Sequence, residues 1–128
     1  MNRLVFDSSA ILAIYYNEPG KNKARSLLDG AESFISAVNL SEVFTKLLQD
    51  KLGAERISES FNALDIEVIE FGSSLAMKAA ELRSVTKHLG LSFGDRACLA
   101  LALQENAAAI TADRMWSKLD LCPIEVIR

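Results

Sequence analysis

The sequence predicts an α/β protein, a parallel sheet with helices on both faces. Three observations predict it. Short apolar segments of strand character alternate with helical ones along the chain. No Asn-Gly or similar hairpin signal joins two strands, so helical crossovers must connect them. And 128 residues, 50% hydrophobic and 24% charged, fit one folded domain over 1–128 that can bury a core without staples.

The elements follow in order. Arg3 to Phe6 is a short apolar strand, and Asp7-Ser8-Ser9 turns into a helix from Ala10 to Tyr16. Glu18-Pro19-Gly20 ends that helix, because proline cannot continue it. A polar amphipathic helix runs from Lys21 to Leu28 and stops at Asp29-Gly30. Ser33 to Ala37 is the second strand. Asn39 opens a helix with Val43, Phe44, Leu47 and Leu48 on one stripe, broken by Gly53. Glu55 to Leu64 is a further helix. Ile66 to Phe71 alternates apolar and acidic residues and reads as an edge strand or one with an exposed face. Leu75 to Leu89 reads as one long helix with Leu75, Ala76, Ala79, Ala80, Leu82 and Val85 as its apolar positions, capped by Gly90. Ser92 opens a helix through Gln104 that is apolar almost all round and so must be buried on most sides. Ala107 to Thr111 and Ile124 to Ile127 are the last strands, with a short helix after Asp113 that Trp116 anchors.

Composition excludes several classes. The formal net charge is −3, so a phosphate-bearing partner must be met by local basic residues or by bound cations. Two cysteines, Cys98 and Cys122, and one histidine give neither a disulfide scaffold nor zinc-ligand spacing. The chain reaches an acid, Asp7, after three apolar residues, unlike a signal peptide, and nothing approaches a membrane span. A cytoplasmic setting with reduced thiols is therefore expected. Pro19-Gly20-Lys21 lacks the earlier glycine and preceding strand of a phosphate loop.

Most of the seventeen acids lie on polar stretches. Asp7, Glu42, Asp95 and Asp113 do not, and three of them follow, or fall within a turn of, the end of a predicted strand. In an open parallel sheet those ends share one edge, where ligands bind. Each acid also has a helix-cap reading. Asp7 and Asp113 suit N-caps, and Asn39–Glu42 and Ser92–Asp95 have capping-box spacing. Four carboxylates gathered on one edge would repel unless protonated or bound to a cation. Oxygen ligands alone favour magnesium or manganese. Such an ion binds phosphate oxygens and lowers the pKa of a bound water, which suits phosphodiester hydrolysis.

Four blocks then carry a family resemblance: Asp7-Ser8-Ser9-Ala10 after the first strand; Asn39-Leu40-Ser41-Glu42-Val43; Leu91-Ser92-Phe93-Gly94-Asp95-Arg96-Ala97-Cys98 and the helix that follows; and Thr111-Ala112-Asp113-Arg114-Met115-Trp116. In order and spacing they resemble the PIN domain, most closely the VapC toxins of bacterial toxin–antitoxin pairs. The resemblance runs from end to end. It implies a three-layer α/β/α fold around a mainly parallel central sheet. It implies an endoribonuclease in which Asp7, Glu42, Asp95 and Asp113 hold magnesium or manganese and a metal-activated water attacks the RNA phosphodiester. Thr111 matches the hydroxyl residue two before the last acid, and Ser8 the one after the first. The resemblance further implies a homodimer, neutralised by a small VapB-like antitoxin within a larger toxin–antitoxin assembly, with no membrane role.

Other residues carry two readings each. Arg96 and Arg114 suit either phosphate contact or ion pairs with the neighbouring acids. Lys46, Lys51, Arg83 and Lys87 read as solvated helix charges. His88, in the last turn of a helix, suits the helix C-terminus better than catalysis. Tyr15, Tyr16, Phe44 and Phe61 fall on early helices where a partner surface and core packing compete. Two other functions remain open: a non-catalytic PIN-like module that binds RNA or protein, and a phosphoacceptor signalling domain. The second lacks a lysine after a late strand.

Overall fold

A computed structural model describes residues 3–128. Five strands, β1 (Arg3–Phe6), β2 (Glu32–Ser36), β3 (Glu67–Ile69), β4 (Ala108–Thr111) and β5 (Ile124–Val126), form one sheet in the order β3-β2-β1-β4-β5. Every neighbouring pair is parallel, with Val5 level with both Phe34 and Ala109. The connections carry α1 (Ser8–Tyr15), α2 (Lys21–Asp29), α3 (Ala37–Gln49), α4 (Ala54–Asn62), α5 (Ser73–Glu81), α6 (Arg83–Thr86) and α7 (Phe93–Glu105).

Both faces of the sheet are covered, and the strands show it residue by residue. Leu4, Phe6, Ile35 and Ile110 point into a core shared with α1, α3 and α4. Their immediate neighbours Val5, Phe34 and Ala109 point the other way, into a core with α5, α7 and Trp116. Strands buried on both sides need no polar face, so Leu4–Phe6 of β1 and Ala108–Ile110 of β4 are continuously apolar. The edge position of β3 explains why Glu67 and Val68 are exposed, as its alternating sequence suggested.

The all-apolar segment is the helix most deeply packed. From Ala97 to Ala102 no residue of α7 is exposed. Its alanines and Cys98 let it approach the sheet closely, and Asn106 ends it in the left-handed conformation, φ 52°. Gly20 is likewise required: its φ is +93°, and a Cβ there would lie 2.7 Å from the Ile127 carbonyl oxygen. Trp116 is fully buried in the 3-10 turn Arg114–Lys118. Phe61 is buried and meets Phe44 edge to face at 5.8 Å, and Tyr15 and Tyr16 are half-buried against the same core.

Three readings of the sequence are corrected. The expected helix from Leu75 to Leu89 is broken after Glu81 into α5, α6 and a 3-10 turn, Lys87–Leu89, closed by Gly90 at φ 67°. Its inward row is Leu75, Ala79, Leu82 and Thr86, while Ala76 and Ala80 face solvent and Val85 is 49% exposed. Thr86 enters the core by donating its hydroxyl to the Leu82 carbonyl at 2.8 Å, a back-bond that bends helices. On the stripe of α3, Val43 and Leu47 are buried but Leu48 is exposed. And α3 begins two residues before Asn39, at Ala37, because Ser36 caps it by accepting from the Val38 N–H at 3.2 Å.

These packing differences set different stabilities. Leu99→Ala is expected to destabilise the protein by about 2–5 kcal/mol, and Val85→Ala by no more than about 0.5 kcal/mol. Urea denaturation of both variants measures this, and equal midpoints would contradict the arrangement of α5 to α7.

Candidate active site

The C-terminal ends of β1 and β4 lie side by side at the middle of the sheet. The Asp7 N–H extends their ladder by donating to the Ile110 carbonyl at 2.8 Å. This places Asp7 beside Thr111, and its side chain is only 4% exposed. Asp7 occupies the N-cap position of α1 yet makes no side-chain capping bond. Its Oδ2 instead accepts from Ser9 Oγ at 2.6 Å and from Thr111 Oγ1 at 3.3 Å. Ser9 Oγ also accepts from the Ala112 N–H at 2.9 Å, and Thr111 Oγ1 from the Asp113 N–H at 3.1 Å. Two hydroxyls thus tie the first acid to the loop that carries the last.

The remaining acids arrive on three elements. Asp95 sits in the first turn of α7 and forms the capping box that its spacing with Ser92 predicts. Its Oδ2 accepts from the Ser92 N–H at 2.9 Å, and its own N–H donates to Ser92 Oγ at 3.2 Å. Asp113 caps the 3-10 turn by accepting from the Met115 N–H at 2.9 Å. Glu42 projects from the second turn of α3, and its Oε1 accepts from Ser8 Oγ at 2.9 Å and Asn39 Nδ2 at 3.0 Å. The expected Asn39–Glu42 capping box is therefore absent, since both residues lie inside the helix that Ser36 caps.

Two of the four carboxylates, Asp7 and Asp95, are held above their ordinary range. Burial pushes the Asp7 carboxyl up from 3.8 to about 7, against the Ser9 hydrogen bond, and the charges of Asp95 and Glu42 push it further the same way. Asp95 is also raised, first by burial and then by Asp113 and Glu42, with its bonds to Ser92 opposing. Asp7 Oδ1 is buried and has no hydrogen-bond partner. An unpartnered buried carboxylate oxygen among hard oxygen donors is chemistry that fits a divalent cation. In the structure each acid is turned to a hydroxyl, amide or backbone N–H, and among the described residues no three acidic, histidine or cysteine side chains close on a common ion position.

Other candidates resolve differently. Arg96 donates to the Ala79 carbonyl at 2.8 Å and lies over the Phe93 ring, tying α7 to α5. Arg114 donates to the Arg128 carbonyl at 3.0 Å. Among the described residues neither arginine pairs with a neighbouring acid, so the ion-pair reading of both is corrected. His88 is exposed in the turn before Gly90. Cys98 is buried packing whose thiol burial raises well above its ordinary range. The sequence reading missed Ser9 and misassigned Asn39. The signals were present: a hydroxyl two residues after a strand-end acid, and an amide three residues before Glu42 on one helix face.

A parallel sheet with acids gathered where its central strands end places the chain among the open α/β domains whose ligand site lies at that edge. The chain matches the PIN domain family over residues 4–121 and belongs to that family. This removes the phosphoacceptor alternative. The fold is similar to a chain of the VapBC2 complex from Rickettsia felis bound to a promoter DNA fragment, at 20% identity and TM-score 0.73, covering 96% of this chain and 97% of that one. It is similar to a toxin–antitoxin complex from Klebsiella pneumoniae at 18% identity and TM-score 0.75, over 98% of each chain. It is also similar to VapC20 of Mycobacterium tuberculosis, a sarcin–ricin loop cleaving toxin, at 18% identity and TM-score 0.72, over 89% and 92%. No curated protein matches the chain.

The raised pKa of Asp7 has a stability consequence. Between about pH 4 and 7 folded Asp7 holds a proton that the unfolded chain has released, so the Asp7 contribution to metal-free stability falls as pH rises through that window. The full effect is on the order of 4 kcal/mol. Asp7→Asn is expected to flatten this dependence and to raise the metal-free Tm at pH 7.5. Calorimetry in chelator across the window checks it, and a wild-type Tm that climbs from pH 4.5 to 7 would contradict the burial of an isolated carboxylate.

Proposed function

We propose that this protein is a metal-dependent endoribonuclease and the VapC-type toxin of a type II toxin–antitoxin pair. The observation that carries the reading is Asp7. It is buried at the end of a central strand with one oxygen held by Ser9 and Thr111 and the other without a partner, and Asp95 and Glu42 are near enough to raise its pKa. Asp7, Glu42, Asp95 and Asp113 would hold the ion, Mg2+ or in its place Mn2+, since oxygen ligands favour hard cations. When bound, that ion supplies charge neutralisation of a phosphate and lowers the pKa of a water.

The chain's own residues do the positioning. Thr111 and Ser9 fix Asp7 Oδ2 and leave Oδ1 without a partner. The capping box fixes Asp95 at the start of a helix that cannot shift, because α7 is buried on all sides from Ala97 to Ala102. Thr111 also holds the Asp113 backbone, so first and last acids keep their spacing. RNA as substrate is supported by family membership and by the RNA-cleaving description of VapC20. The structural neighbours that are toxin–antitoxin complexes support a VapB-like antitoxin as partner; a homodimer within such an assembly and a cytoplasmic setting belong to the same proposal. No helix among the described residues is long and apolar enough to cross a membrane.

The test is cleavage of total cellular RNA by the purified protein in Mg2+ or Mn2+ and in excess chelator. Asp95→Asn is expected to lose more than about 100-fold of the cleavage rate while keeping the wild-type circular dichroism spectrum. Cutting by Asp95→Asn at the wild-type rate, or unchanged cutting in chelator, would overturn the reading. Expression of the wild type is expected to arrest growth, and co-expression of the small protein encoded beside it to relieve the arrest. Unaffected growth with intact protein accumulating would overturn the toxin role.

A further inference from the structure

Asn39 is the fully buried polar side chain at the crossing of α3 and α7. Its Nδ2 donates twice, to Glu42 Oε1 at 3.0 Å and to the Gly94 carbonyl at 2.9 Å. Its Oδ1 is buried and has no partner. An apolar side chain would avoid that unmet acceptor, so the amide is not explained by packing alone. What the amide does is join two acid-bearing elements. Gly94 stands immediately before Asp95, and Glu42 lies one helical turn beyond Asn39. The opposite wall is as specific. A Cβ on Gly94 would lie 2.3 Å from Glu42 Oε2 and 2.7 Å from its carboxyl carbon, so the Glu42 carboxylate fills the space that the glycine leaves. Gly94 has no left-handed φ. Its missing side chain makes room for Glu42.

We propose that Asn39 is a positioning residue for this site, its buried amide holding the Glu42 carboxylate over Gly94 so that Glu42 and Asp95 keep a fixed separation across α3 and α7. The inference rests on the reading of the four acids as a cation-holding set. Ser8 supplies the second donor to Glu42 Oε1, from the start of α1. Glu42 is thereby held by one hydroxyl, one amide and one glycine from three helices. An exposed glutamate on a free helix would keep several rotamers, and each bond removes some of that freedom before a ligand arrives.

The test is Mn2+ titration of the metal-free full-length protein, followed by paramagnetic resonance, on Asn39→Leu, Gly94→Ala and Glu42→Ala. Thermal melting is recorded in parallel. Asn39→Leu keeps the branching of the side chain and removes the donor. Gly94→Ala puts a methyl group against Glu42 at a helical position where alanine is otherwise favourable. It probes the same geometry should Asn39→Leu fail to fold. Each is expected to weaken Mn2+ binding by about 10–100-fold, and to lower kcat on RNA by a similar factor with KM unchanged. In a Glu42→Ala background, where Asp7, Asp95 and Asp113 remain, neither substitution is expected to weaken Mn2+ binding further, because both act through Glu42. Affinity within twofold of wild type for either folded variant overturns the proposal. So does a loss that persists in the Glu42→Ala background, which would mean that Asn39 only braces α7. A wild-type protein that binds no Mn2+ overturns the cation reading itself, and the two failures are told apart by that first titration.

Discussion

Most of the site depends on one constraint, a carboxylate buried at the end of a central strand. β1 has neighbours on both sides, so the residue that follows it cannot reach water. Asp7 is that residue, and an isolated charge there is costly. Hydroxyls reduce the cost on one oxygen. Ser9 and Thr111 come from α1 and β4, and both also accept from the backbone leading to Asp113. The other oxygen keeps its unmet capacity. On the proposed reading, the same burial that makes an isolated Asp7 charge costly suits the carboxylate to a bound cation.

Delivery of Asp95 is a matter of packing. α7 lies under the sheet with an unbroken run of unexposed residues, and its small side chains allow close approach to β1 and α5. A helix held so firmly presents its N-terminus at a fixed place. The capping box then sets the Asp95 carboxylate, and Arg96 fastens the opposite side of the turn to α5. Glu42 reaches the site from the other core. It needs the missing side chain at Gly94 and the Asn39 amide to do so. The two hydrophobic cores on opposite faces of the sheet thus meet at the acids, through a single buried amide.

Much of the candidate site was legible in the sequence because its residues are out of character locally. Asp7 directly follows an apolar strand, Asp113 follows a second one after a single intervening residue, and Asp95 introduces a helix with almost no polar face. Ser92–Asp95 had a local signature because a capping box closes within one turn. Asn39–Glu42 had the same spacing, yet the helix starts at Ala37, since Ser36 at the strand end captures the Val38 N–H first. Ser9 and Asn39 were legible only in part: each has one partner close in sequence, Asp7 and Glu42, and one distant, Ala112 for Ser9 and Gly94, 55 positions away, for Asn39. The ion-pair reading of Arg96 fails because the nearest acid in sequence is not its acceptor in space.

The sequence by itself determined the alternation of strands and helices, the parallel sheet buried on both faces and the depth of α7, and it singled out the four acids as candidates. These follow from hydrophobic period, chain direction and residues within a few positions of one another. Tertiary structure decided the strand order, the break after Glu81, which face of each helix is inward, and which donors hold each carboxylate. A backbone hydrogen bond within a turn depends on neighbours in sequence. A side-chain amide such as Asn39 finds its acceptor only after α3 and α7 have packed, so its role becomes visible only in the folded chain.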